Sequence, residues 1–294
     1  MPDFPIVDCH VHLWDPTRLR MSWLDTHSRL NRPFGLPEYR EATAGIDIAA
    51  MVYLEVDVDA PYTLLEAQQV NALAAKEDAK EDAKEDRLQG IVPSAPVEYG
   101  DQARAFLEAL VAIGPRVKGV RRITQAEPDP DFCLQPRFVR GVQLLPEYGL
   151  SFDICINHRQ LPSTIRMVAQ CPNTSFMLDH IAKPDIKGSG LDPWRGHMRE
   201  LAAFPNVSCK ISGVVTEADP ERWTVDDVKP YIEHALEVFG EDRVAFGGDW
   251  PVVLNAVPYR RWVETLDALT ADLPLPVKRK LWAENARRFY RLTP

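Results

Sequence analysis

The chain has 294 residues, of which 45% are hydrophobic and 26% charged, and it carries a formal net charge of −9. This is the make-up of a globular enzyme with ample apolar material for a large core, in one barrel or two smaller domains. The acidic balance argues against a general affinity for nucleic acid or anionic membranes, and no apolar run approaches the roughly 20 residues that a membrane span needs.

The opening MPDFPIVDCHVHLWDP carries acids early and has no long apolar stretch, so no leader peptide and a cytoplasmic location are expected. The first predicted strand covers 5–12. Further strands are predicted at 50–56, 87–92, 117–123, 150–156, 174–178, 206–211 and 243–247. Several are nearly all apolar, as parallel strands covered on both faces should be. Amphipathic segments lie between them: 62–85, 101–113, 137–148, 162–169, 193–204, 225–239 and 259–269, with a closing helix within 277–292. Eight strands alternating with helices predict an α/β fold, a single (β/α)8 TIM barrel over residues 1–294. The alternative is an open doubly wound sheet, whose dinucleotide-binding form lacks support because no Gly-x-Gly-x-x-Gly turn follows the first strand.

Two connections are unusual. Residues 16–46 are long for a loop after a first strand, which points to a lid or a pocket wall. Residues 76–86 read KEDAKEDAKED. On a helix Lys76, Lys80 and Lys84 form one stripe, relieved by Glu77 to Lys80 and Glu81 to Lys84, which reads as a solvated face. Cys9, Cys133, Cys155, Cys171 and Cys209 form no Cys-x-x-Cys pair and read as small buried hydrophobes.

The chemistry concentrates at strand ends. In DCHVHLWDP, His10 and His12 are one residue apart, so alternation turns both imidazoles the same way. Two neutral imidazoles at that spacing suit Zn²⁺ or a similar divalent ion. In VAFGGDWP, Asp249 follows a short apolar strand and two glycines. It could ligate a metal, act as general base or do both, the alternative being a helix cap. In FMLDHIAKPD, His180 follows the sixth strand.

Taken together, these motifs resemble the amidohydrolase superfamily: His-x-His on strand one, His on strand six, Asp on strand eight. The GVRR of strand four, CKISG of strand seven and terminal ENARRFYRL extend the likeness to its sugar-lactone and pyrone-dicarboxylate lactonase subgroup, nearest L-fuconolactonases and L-rhamnonolactonases. The resemblance implies a metal or catalytic centre at His10, His12, His180 and Asp249, with zinc as the expected ion, although the pyrone-dicarboxylate lactonases work without one. Many superfamily members also carry a metal-binding His at the end of strand five. Here His158 lies past the apolar run, and Lys118 sits too early in strand four to serve as a carbamylated bridge, so two metals are not expected.

Position nominates the substrate contacts. Arg121 ends strand four and offers a planar donor fork, while Arg122 should face the helices and form a salt bridge. Lys210 on strand seven could polarise a carbonyl, with a buried ion pair as the alternative. Glu55 could bind sugar hydroxyls or stand solvated at the rim. Trp14, Trp23 and Trp250 could wall the pocket or simply pack in the core.

The expected reaction is hydrolysis of a small-molecule aldonolactone such as L-fuconolactone. Asp249 would shuttle the proton, and His180, with a metal or Lys210, would stabilise the oxyanion. A decarboxylase or a sugar-lactone isomerase of the same superfamily, and a non-catalytic binding barrel, are the alternatives. No Gly-x-Ser-x-Gly elbow supports a serine esterase.

Overall fold

The computed structural model describes residues 1–79 and 87–293. Its strands are β1 (Ile6–Val11), β2 (Ile48–Leu54), β3 (Arg87–Val92), β4 (Gly119–Ile123), β5 (Ser151–Cys155), β6 (Phe176–Leu178), β7 (Val207–Ile211) and β8 (Val244–Phe246). The helices are α1 (Leu36–Ala42), α2 (Thr63–Asp78), α3 (Arg104–Ala112), α4 (Pro136–Leu144), α5 (Leu161–Ala169), α6 (Trp194–Ala202), α7 (Val225–Phe239), α8 (Tyr259–Leu269), α9 (Leu275–Arg279) and α10 (Asn285–Tyr290).

All strand pairs are parallel, in the orders β1-β2-β3 and β4-β5-β6-β7-β8. Isolated bridges join these two runs. Ile91 with Val117 and Ser94 with Arg121 link β3 to β4, and Val11 with Trp250 links β1 to the end of β8. At the second seam the His12 amide donates to the Trp250 carbonyl at 2.8 Å, and the Asp249 amide to the His10 carbonyl at 2.8 Å. The predicted (β/α)8 architecture is thus present, with full ladders inside each run and isolated bridges where the runs meet.

Local rules account for the elements. β1, β2, β5, β6, β7 and β8 are almost entirely buried, which is why their sequences are apolar on both faces. α7 begins where Thr224 donates its amide and hydroxyl to Asp227 at 2.7 and 2.9 Å, satisfying a helix start that would otherwise leave donors unpaired. Inside the ring, Val7, Cys9, Ala50, Val52, Met177 and Ala245 pack together, and Ala286, Tyr290 and Leu292 close the cluster. The predicted closing helix is broken into α9, a π turn over Lys280–Glu284, and α10. The turn places Trp282 against Phe246, ring centroids 4.5 Å apart.

The five cysteines are buried and unpaired, as expected. Among the described residues no helix is long and apolar enough to cross a membrane. The 16–46 segment folds as a short 3-10 turn at Ser22–Thr26 followed by α1. It is pinned to the strand-one end by reciprocal backbone bonds between Trp14 and Phe34 at 2.9 and 2.8 Å. The predicted helix 62–85 is seen as α2. The rest of its charged repeat, with the pairs at Lys80, Glu81 and Lys84, lies outside the described residues, while Glu77 pairs with Arg40 at 3.0 Å.

Candidate active site

β1 is irregular where it matters. Its register with β2 shifts between Asp8 and Val11. Such an irregularity re-aims side chains, so Cys9 packs inside the ring and its neighbour His10 also faces inward. Asp8 points the other way, toward the helices. It accepts from the Gly248 amide at 2.7 Å and from the Tyr39 and Tyr259 hydroxyls at 3.0 and 2.8 Å. Burial pushes the Asp8 carboxyl up to about 6 despite these donors. Gly248 is required beside it, because an added Cβ would lie 2.2 Å from the Tyr259 ring.

His10 and His12 meet through their Nε2 atoms at 3.1 Å. His12 Nδ1 donates to the Leu54 carbonyl at 2.9 Å, so its Nε2 carries the lone pair when the ring is neutral. Asp249 Oδ1 lies 3.5 Å from His12 Nε2 and 3.7 Å from His10 Nε2. Asp249 holds a left-handed backbone at φ 53°, which re-aims it at the end of β8. Burial works to raise its carboxyl, but His180 and His12 hold it below the usual carboxylate range. His180 sits 4.4 Å from His10, ring to ring, and its Nδ1 bonds the Ser212 hydroxyl at 2.9 Å. Burial lowers its pKa to about 4, so the ring is neutral near pH 7. Gly213, at φ +57°, leaves room for the pair, since a Cβ there would stand 2.4 Å from His180 Nδ1 and 3.0 Å from Asp249 Oδ2.

A buried ionic layer supports these groups. Arg121 donates from Nε to Glu55 Oε1 at 2.7 Å, from Nη2 to the Glu55 carbonyl at 2.6 Å and from Nη1 to Asp179 at 3.1 Å. Lys210 pairs with Asp153 at 2.7 Å and Asp179 at 3.0 Å, and its ammonium is 3.3 Å from His10 Nδ1. Tyr290 closes the layer with a 2.5 Å bond to Asp153. Burial opposes ionisation of Asp179, but Lys210, His10 and Arg121 hold its pKa well down.

Above this layer opens a cleft of about 350 Å³. His12, His180 and Asp249 form its floor with Arg121, Glu55 and Cys155. Trp14, Trp23, His27 and Leu30 wall it, so the 16–46 segment is a pocket wall. Trp23 is fixed by its indole N–H on the Val56 carbonyl at 2.8 Å.

Not every nominated contact reaches the cleft. Lys210 is fully buried and lies beneath the floor, held by two carboxylates. Trp250 faces away and packs on Phe34 and Tyr39, because its backbone is used at the β8–β1 seam. Glu55 and Arg121 line the cleft but largely satisfy each other. Arg122 pairs with Glu98 and Glu127 at 2.9 and 2.7 Å, on the face expected of it. His158 is turned to the Lys183 carbonyl at 2.9 Å, and Lys118 meets the Arg291 carbonyl, so neither joins the centre. The inward residue near the end of β5 is Cys155 instead. Asp153, Asp179 and Tyr290 were missed. Their signal was an ionisable residue in or beside an apolar strand, which has to find a buried partner.

The donor set suits a divalent cation. One ligand atom from each of His10, His180 and Asp249 lies within 4.8 Å of the others, with the His12 lone pair beside them. Glu55, Asp153 and Asp179 in the layer and Asp249 above it outnumber the buried cations Arg121 and Lys210, a carboxylate excess that a cation would offset.

Comparison with known proteins agrees with this geometry. The amidohydrolase family matches residues 7–292. This chain belongs to the amidohydrolase family. It is 32% identical to an L-fucono-1,5-lactonase of Burkholderia multivorans, over 92% of this chain and 96% of the relative. It is 28% identical to an L-fucono-1,5-lactonase of Burkholderia ambifaria, over 97% and 95%. A crystallised Burkholderia multivorans amidohydrolase with bound zinc is similar throughout, with a TM-score of 0.86, 27% identity, and coverage of 99% of this chain and 100% of that one.

Proposed function

We propose that this amidohydrolase opens a neutral sugar lactone, L-fuconolactone or a similar six-carbon aldonolactone, to the aldonic acid. The observation that carries the reading is an ionised Asp249 beside His12 and His180 on the floor of a cleft walled by Trp14 and Trp23, with His10 buried behind them. The names of the two Burkholderia relatives support it.

A lactone needs an activated water, a polarised carbonyl and a proton for the leaving ring oxygen. Asp249 takes a proton from water as its oxygen attacks the carbonyl carbon. The carbonyl electrons move onto oxygen, where, in the site without a metal, neutral His180 can donate from Nε2 when the Ser212 hydroxyl donates to its Nδ1. The ring C–O bond then breaks, and Asp249 returns its proton to the departing alkoxide.

His10, His12, His180 and Asp249 would hold one zinc ion. When bound, it would supply Lewis-acid polarisation and lower the pKa of water. Purified protein is expected to contain about one equivalent per chain by elemental analysis, and His12→Asn less. Full activity in protein shown to be metal-free would remove zinc from the reading.

Substrate class is tested by kcat/KM across epimeric aldonolactones and 2-pyrone-4,6-dicarboxylate. The cleft carries the Glu55 and Asp57 carboxylates against Lys183 and an Arg121 that is already paired, a balance that disfavours a dianion. A misplaced hydroxyl should cost roughly 1–3 kcal/mol by leaving a buried group unpaired. A preference for the pyrone, or equal rates on all epimers, would defeat the sugar-lactone assignment.

A further inference from the structure

The link from β6 to the next helix has an unusual backbone. His180, Ile181, Ala182 and Lys183 all have positive φ, at 54°, 47°, 60° and 45°. None is glycine, and Ile181 is β-branched, for which this region is a genuine outlier. Left-handed residues cost roughly 1–2 kcal/mol each, so the run persists only because its surroundings determine it. The Lys183 amide donates to the His180 carbonyl at 2.8 Å, the His158 ring to the Lys183 carbonyl at 2.9 Å, and the Trp194 indole to the Ile181 carbonyl at 2.8 Å.

The three-residue hydrogen bond has a geometric consequence. In a turn closed from i+3 to i, residues i and i+3 come to the same side. His180 and Lys183 both line the cleft, while Ile181 and Ala182 are fully buried. Lys183 is half-buried, and among the described residues its side chain forms no ion pair or hydrogen bond. The other cations of the site, Arg121 and Lys210, are fixed to carboxylates. The Lys183 charge bears on His180, Asp249 and Cys155, at the ends of β6, β8 and β5.

Resting on the lactonase reading above, we infer that Lys183 is a catalytic residue whose ammonium binds the substrate carbonyl oxygen and stabilises the oxyanion formed there. As water adds to the carbonyl carbon, the π electrons move onto that oxygen, and Lys183 holds the resulting negative charge without giving up its proton. When the ring C–O bond breaks, the electrons return to restore the carbonyl, and the proton passes from Asp249 to the leaving oxygen. The carboxylic acid so formed loses its proton to solvent water near neutral pH, so the same ammonium also holds the aldonate carboxylate. The left-handed turn is the device that brings His180 and Lys183 to the reacting carbonyl from one short segment.

The test uses Lys183→Met, Lys183→Arg and Lys183→Gly in the full-length enzyme, with kcat, KM, inhibition by the aldonate product and thermal unfolding as readouts. Lys183→Met should lower kcat on the order of 100-fold, the scale of a lost oxyanion donor, with a smaller change in KM. It should also weaken aldonate inhibition about tenfold. Lys183→Arg should recover most of kcat because it keeps the charge. Lys183→Gly should unfold no earlier than wild type, since glycine tolerates this φ, yet be as slow as Lys183→Met. That combination separates the charge from any structural role. A wild type active on aldonolactone with Lys183→Met or Lys183→Gly within threefold of it would overturn the role of Lys183 alone. A wild type that hydrolyses no aldonolactone would overturn the function on which the role rests.

Discussion

Asp249→Asn is expected to lower kcat at saturating lactone by roughly 100- to 1000-fold, the scale of a lost general base, while the protein unfolds at close to the wild-type temperature. The substitution keeps the side chain's shape. Asparagine also tolerates the left-handed backbone that Asp249 adopts at φ 53°. The bonds from the Asp249 amide to the His10 carbonyl and from the Val253 amide to the Asp249 carbonyl, both 2.8 Å, are main-chain and survive. What disappears is an ionised oxygen 3.5 Å from His12 Nε2, placed to take a proton from water and return it. The measurement is steady-state turnover on an aldonolactone, with thermal unfolding as the control for folding. Turnover within a few-fold of wild type would show that the proton moves through another group.

The second large effect is on stability. Lys210→Met should destabilise the barrel by about 3–5 kcal/mol at neutral pH, because it leaves Asp153 and Asp179 buried without their shared cation. In a chain of this length that is a fall of very roughly 6–15 °C in melting temperature. The pH dependence gives the sign. In the wild type the Asp179 pKa lies well below the ordinary carboxylate value. Its contribution is therefore complete above the unfolded-state pKa of about 4 and is lost as pH falls through the folded value. In Lys210→Met, Asp153 keeps only the Tyr290 hydroxyl and Asp179 only the Arg121 cation, so both carboxylates should titrate upward, and protonation relieves them. The gap between variant and wild type should thus be widest above neutrality and narrow toward pH 4. A gap below about 1 kcal/mol at neutral pH, or one that widens in acid, would mean that the layer does not depend on Lys210.

How much of this was legible in the sequence follows from what each signal measures. The alternation of apolar strands with amphipathic helices reports burial on both faces of a parallel sheet, a local property, so the barrel could be read directly. His10, His12, His180 and Asp249 were legible for a related reason. Each lies at or just beyond the end of an apolar run, where a barrel gathers functional side chains. Arg122 was assigned to the outer face by simple alternation, and its pairs with Glu98 and Glu127 agree.

Tertiary structure decided the rest. Alternation could not reveal the register shift in β1 that lets Cys9 and His10 both face inward, because that depends on pairing with β2. Nor could it show that Lys210 and Asp153, 57 residues apart, neutralise each other beneath the floor, or that Tyr290 arrives from the far end of the chain to bind the same carboxylate. Trp250 resembled a pocket aromatic by position, but the β8–β1 seam turns it toward Phe34 and Tyr39. Local pattern therefore determined which residues stand at the strand ends. Which of them line the cleft, and which neutralise one another below it, was fixed by strand register and long-range ion pairs. Those are set by the free energy of burying charge among the strands, and no window of sequence contains that term.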